Sequence, residues 1–200
     1  DVTISFSDIS TMMSPDEAFV RFVDELSLAF HTIGQLREML EHTRSLIERK
    51  ELNELLHKSV TTAVDYYDLA RAYSIECYDL GKVGHHPAEV AAEVERKIEF
   101  ERSWGPYVRE LRAPAFSLKG YSELVNRYSS LPETYEEQKD QLLAEFDRSL
   151  GNVLALLSVY RKHLDGDIDL EDYQADEFCD LIYRIKLEND QGDLQNQSAG

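Results

Sequence analysis

Ser14-Pro15-Asp16-Glu17-Ala18-Phe19-Val20-Arg21-Phe22-Val23-Asp24-Glu25-Leu26 is the stretch that decides the fold. Ser14 stands where an N-terminal helix cap belongs. Pro15 suits the first helical position, where a missing N–H costs nothing. Glu17 can return a hydrogen bond to the cap residue. The apolar positions Phe19, Phe22, Val23, Leu26, Phe30 and Ile33 then follow at spacings of three and four. That is the period of a helix with one buried face. Leu36, Leu40 and Ile47 continue the stripe past Gly34, so the spacing predicts one long helix over 15–49, bent near Gly34.

Working outward, the same period recurs. A charged hinge at Glu48-Arg49-Lys50-Glu51 leads into a second helix over 52–80, with Gly81 as its C-terminal cap. Its apolar face includes Leu52, Leu55, Leu56, Ala63, Ala70, Cys77 and Leu80, together with a crowd of tyrosines at 66, 67, 73 and 78. Pro87 opens a helix to about 103, and Trp104-Gly105-Pro106 reads as a break. Short helices over 107–112 and 115–129 are expected on either side of Pro114. Pro132 starts a long helix over 133–163, and Asp165-Gly166 turns the chain. Asp169 is expected to cap a last helix over 170–188. The fold class is therefore all-α, a bundle of about five to six helices with short connections.

Two segments fall outside that pattern. Val2, Ile4 and Phe6 alternate with polar residues, so residues 1–13 read as an extended N-terminal arm. Residues 189–200 are polar and read as a disordered tail. The helical domain spans 14–188.

Composition narrows the setting. Of the 200 residues 42 % are hydrophobic and 30 % charged, a globular balance with room for a core. No apolar run reaches the length of a membrane span, and no signal-peptide pattern is present. The first residue is Asp1 and not Met, so the expectation is a chain trimmed from a longer precursor. Cys77 and Cys179 lie in helical patterns far apart, as expected of reduced, partly buried thiols in a cytoplasmic protein. The formal net charge is −18. Such a field repels nucleic acid and anionic membranes and attracts basic proteins.

Several stretches resemble known chemistry, and each departs from it. Asp165-Gly166-Asp167-Ile168-Asp169-Leu170-Glu171-Asp172 resembles the second half of an EF-hand loop. The first and third ligand positions fall on Arg161 and His163, and a cation there opposes calcium. Ala115-Phe116-Ser117-Leu118-Lys119-Gly120 resembles the motif of histidine phosphotransfer domains, with Phe116 where the accepting imidazole belongs. Arg37 and His42 fit the Arg-x4-His spacing of the HEPN ribonucleases, in which arginine contacts phosphate and histidine moves protons. Glu54-Leu55-Leu56-His57 resembles one half of a di-iron carboxylate site, without the second Glu-x-x-His that such bundles use. The pair His85-His86 sits in a predicted loop.

The expectation is a non-catalytic, acidic interaction domain without cofactor or metal. Its partner is a basic protein, with the chain acting as inhibitor or immunity factor, chaperone or regulator. Direct nucleic-acid and membrane binding are not expected. The surface assigned to the partner is the densest acidic segment, Asp165, Asp167, Asp169, Glu171 and Asp172. The alternatives are a helical-bundle enzyme, HEPN-like through Arg37 and His42 or metal-dependent through Glu54 and His57, and a scaffold that forms homodimers.

Overall fold

The computed structural model describes residues 14–75, 87–173 and 175–198. The predicted arm, Cys77, Tyr78, Gly81 and His85-His86 lie outside them. Among the described residues six α-helices follow one another: α1 Pro15–His42, α2 Leu46–Ile75, α3 Pro87–Glu110, α4 Arg112–Tyr128, α5 Pro132–Leu164 and α6 Ala175–Ser198. A 3-10 turn, Leu170–Asp172, precedes α6. The all-α expectation is met, with no strand among the described residues.

The start of α1 forms as its sequence dictates. The Glu17 N–H donates to the Ser14 hydroxyl at 3.2 Å, and the Ser14 N–H donates to the Glu17 carboxylate at 3.0 Å. This reciprocal cap satisfies two of the donors that every helix start leaves open. The helix runs unbroken through Gly34, but it ends seven residues before the predicted boundary. Thr43 is extended, at φ −84° and ψ 123°. Ser45 then caps α2, its carbonyl accepting from the Arg49 N–H at 2.9 Å. The turn thus sits at 43–45 and not at the charged run 48–51. Leu46 and Ile47, which prolonged the apolar spacing, are exposed at the hairpin tip.

Other boundaries also moved. Trp104-Gly105-Pro106 does not stop α3, which continues to Glu110. The Glu101 carboxyl lies over buried Gly105, where a Cβ would collide with it. The joint to α4 is a single residue, Leu111, still in the right-handed helical region. Pro114 falls in the first turn of α4, where a proline is tolerated. The last helix begins at Ala175, because Asp169 caps the 3-10 turn instead. Residues 189–198, expected as a tail, continue α6. Once Leu181 and Ile185 dock the helix, adding residues costs little, and no proline interrupts it.

The four helices α1, α2, α4 and α5 form a closed ring in which each packs on the next; α3 lies across α1 and α2, and α6 lies on α5. One hydrophobic cluster takes residues from all six helices. Phe19, Phe22 and Phe30 of α1, Tyr67 of α2, Phe100 of α3 and Phe146 and Tyr160 of α5 are its largest members.

Candidate functional site

The chain reversal after α5 is built by Gly166. Its φ of +80° is the left-handed conformation that glycine adopts at no steric cost. The Gly166 N–H donates to the His163 carbonyl at 3.1 Å, and the Asp167 N–H to the Lys162 carbonyl at 2.9 Å. These paired bonds are a Schellman motif and close the last carbonyls of α5. Asp169 then accepts from the Glu171 N–H at 3.1 Å. The Leu170 N–H donates to Nδ1 of His163 at 3.3 Å. Leu170 is buried, and Ile168 and Tyr173 pack on the core.

All five predicted partner-binding residues, Asp165, Asp167, Asp169, Glu171 and Asp172, are therefore exposed on one tightly pinned turn. Asp165 lies 3.9 Å from Arg161, which also pairs with Asp24 of α1. Asp169 lies 3.9 Å from His163. Asp167, Glu171 and Asp172 form no ion pair among the described residues. The EF-hand resemblance ends here: Arg161 and His163 are engaged elsewhere, and the backbone makes a helix cap instead of a ligand loop.

Beneath the turn lies an aromatic layer that the sequence did not reveal. Trp104 stacks on Phe19 with centroids 4.2 Å apart and planes 6° from parallel. Tyr107 lies 5.6 Å from Tyr160, and His163 lies 5.9 Å from Trp104 and 6.2 Å from Tyr107. The Trp104 indole N–H donates to Asp16 at 2.9 Å, drawing that carboxylate to the same end of the bundle. Burial raises the proton affinity of the Tyr107 phenol, and the charges of Glu171 and Asp169 raise it further. Reading Trp-Gly-Pro as a helix breaker hid this layer. Helical spacing was the available signal, since Trp104 and Val108 follow Phe100 at successive spacings of four.

The candidate enzymatic residues do not converge. Arg37 grips Asp147 of α5 with two bonds of 2.9 and 3.0 Å, in a polar cleft of about 320 Å³ that also holds Arg49, Lys139 and Glu41. Burial nevertheless raises the proton affinity of Asp147, outweighing Arg37. His42 is exposed and bonds the Glu38 carbonyl of its own helix at 2.9 Å. His57 lies 3.2 Å from the Ser122 hydroxyl, whose proton goes to the Lys119 carbonyl. Nδ1 of His57 is therefore the donor, and the ring ties α2 to α4. Glu54 is exposed. Phe116 is a surface residue with Arg112 over its ring at 5.9 Å. Among the described residues no group of three His, Cys, Asp or Glu side chains is placed to hold a metal ion.

Tyr67, one of the tyrosines crowded on the second helix, is fully buried, and its hydroxyl donates to the Val108 carbonyl at 2.7 Å. Cys179 is a free thiol but exposed, not partly buried. No helix among the described residues is long and apolar enough to cross a membrane. Compared with known proteins, the chain matches no family model, no curated protein and no solved structure.

Proposed function

We propose that this chain is a non-catalytic interaction domain that binds a basic protein partner through Asp165, Asp167, Asp169, Glu171 and Asp172. The observation that carries the reading is the pinning of these carboxylates. Gly166, the Asp169 cap, the His163–Leu170 bond and buried Leu170 hold the turn in one shape. Asp167, Glu171 and Asp172 stand there without an ion pair among the described residues, open to a partner's lysine or arginine side chains, and little ordering cost is added on binding. Trp104 and Tyr107 beside the turn offer ring surface to the stems of such side chains.

In this reading the chain works in the cytoplasm as an inhibitor or immunity factor, a chaperone or a regulator. Its overall charge of −18 steers basic partners and repels nucleic acid and anionic membranes. Binding through such a surface is salt-sensitive, mainly in its association rate.

The test is quantitative affinity capture from native lysate with two baits, the natural chain and a variant with all five carboxylates changed to Lys. A basic protein held by the natural chain, lost from the variant and released by about 0.5 M salt supports the proposal. A protein held equally by both baits removes the turn from the interface.

A further inference from the structure

One nitrogen at the acidic turn faces two backbone groups that want opposite things of it. Nδ1 of His163 accepts from the Leu170 N–H at 3.3 Å, and the Ile168 carbonyl stands 3.2 Å from the same atom. An imidazole nitrogen either offers a lone pair or carries a proton. With the lone pair it holds Leu170 and turns away Ile168. With a proton it donates to Ile168 and turns away Leu170. The two bonds exclude each other, so the turn has two arrangements around one ring.

The neutral ring belongs with the first. Leu170 is 5 % exposed, and its N–H opens the 3-10 turn, where a helical acceptor is missing. A buried donor left unserved carries its full desolvation cost. Ile168 is only half-buried, so its carbonyl is the cheaper group to leave without a partner.

A second proton places a cation among known neighbours. Asp169 of the turn stands 3.9 Å from Nδ1. From α3, Trp104 meets the ring edge-on at 5.9 Å and Tyr107 lies 6.2 Å away, within reach of the charges of Asp169 and Glu171. Trp104 in turn holds Asp16 of α1. On α5 itself Arg161 pairs with Asp24 and Asp165, and Lys162 lies 4.0 Å from Glu188 of α6. With Leu170 released, the Nδ1 proton faces the Ile168 carbonyl and the Asp169 carboxylate. With Leu170 held, it would face another N–H. The released arrangement therefore binds the proton better, and falling pH draws the turn towards it.

We propose that His163 is a pH-operated pin of the acidic turn, holding the Leu170 N–H while neutral and exchanging it for the Ile168 carbonyl when doubly protonated. Imidazole is the side chain whose charge changes between about pH 5 and 8, so the exchange falls in that range. The consequence for a basic partner rests on the reading proposed above. The carboxylates of Asp165–Asp172 are held in one shape at neutral pH and loosened in mild acid, where the imidazolium also occupies Asp169.

Nuclear magnetic resonance on the full chain, between about pH 8.5 and 5, reads the ring and the amide separately. At the upper end long-range proton–nitrogen correlation should find Nδ1 of His163 without a proton. As the ring titrates, the Leu170 amide shift should move with the same midpoint. Its hydrogen-exchange protection should fall at least about tenfold, with helical circular dichroism unchanged. His163→Phe keeps a ring against Trp104 and should abolish the transition at Leu170. Asp169→Asn keeps an acceptor for the cap and removes the charge beside Nδ1, so the midpoint should move to lower pH. A neutral ring with its proton on Nδ1, a Leu170 amide indifferent to the ring, or a transition that survives in His163→Phe overturns the proposal. Where the Phe variant does not fold, Asp169→Asn decides, and an unmoved midpoint overturns the pin. No partner enters these measurements, so their failure is distinct from failure of the partner reading, which the capture with two baits decides.

Discussion

Removing two hydroxyl groups tests how the α3–α4 joint is held. Helix α3 ends at Glu110, so the carbonyls of residues 107–110 are the four that lack partners within it. Tyr160 donates to the Tyr107 carbonyl at 2.9 Å, and Tyr67 donates to the Val108 carbonyl at 2.7 Å. Two helices thus satisfy two orphan acceptors of a third. Both tyrosines are fully buried, so Phe at either site keeps the packing and deletes only the bond. A lost hydrogen bond whose buried acceptor stays unpaired costs about 1–3 kcal/mol. Tyr67→Phe and Tyr160→Phe should therefore each lose about 1.5–2 kcal/mol, or about 3–8 °C in Tm for a chain of this size. The acceptors are adjacent residues of one turn. Loosening that turn once cheapens the second loss, so the double variant should fall short of the sum by about 0.5 kcal/mol or more. Urea unfolding followed by far-ultraviolet circular dichroism measures all three. Single losses below about 0.5 kcal/mol would show that water or relaxation replaces the bonds, and would refute this account of the joint.

Three further outcomes follow from local geometry. Ser14→Ala removes the reciprocal cap of α1 and should cost about 1 kcal/mol, and a neutral result in thermal unfolding would mean that water serves the exposed donors equally well. Gly166→Ala forces a Cβ into the left-handed conformation and should cost about 1–2 kcal/mol, although the space around it is open. A loss near zero would mean that the turn can be made another way. Asp147 binds its proton more tightly in the folded chain than in the unfolded one, because burial outweighs the pull of Arg37. Its contribution therefore favours the fold below the ordinary aspartate range and is lost as pH rises through the raised value. The stability of Asp147→Asn relative to the natural chain should rise across that window in pH-dependent urea titrations, and a difference independent of pH would contradict the assignment.

What the sequence discloses is what neighbouring residues settle among themselves. Ser14 and Glu17 cap each other across three residues, Pro132 opens α5, and Gly166 takes the one backbone conformation that the turn needs. Each feature stood at its expected place because no distant partner was involved. The break at 43–45 escaped because Leu46 and Ile47 prolong the apolar spacing while pointing into solvent. Trp104-Gly105-Pro106 misled for the opposite reason. The Glu101 carboxyl folds over Gly105, and the core contacts of Phe100, Trp104 and Val108 hold the helix together through Pro106. Tertiary packing here overrides local propensity. Tyr67 and Tyr160 were visible as residues, but their acceptors lie on α3, and no spacing connects them. The same division holds at the acidic turn. Its charge and its glycine were legible, whereas the aromatic layer beneath it depends on three helices meeting.

That division bears on the proposed role of the acidic turn. Several basic side chains pair with nearby carboxylates: Arg21 with Glu25, Arg37 with Asp147, Lys119 with Asp65 and Arg127 with Glu123, while Arg161, at the end of α5, pairs with both Asp24 and Asp165. Exposed pairs of this kind add little stability, but they cancel the field around them. At the turn Asp167, Glu171 and Asp172 form no ion pair among the described residues, and neither do Glu48, Glu51 and Glu54 on α2. A flexible loop would spread such charges apart and lose their joint field. The turn cannot, because Leu170 is buried beneath it and Gly166 fixes its direction. Under the proposed reading, a cationic partner pairs with these carboxylates. Charge density in the sequence already singled out this place, and the structure adds a backbone held by Gly166 and buried Leu170.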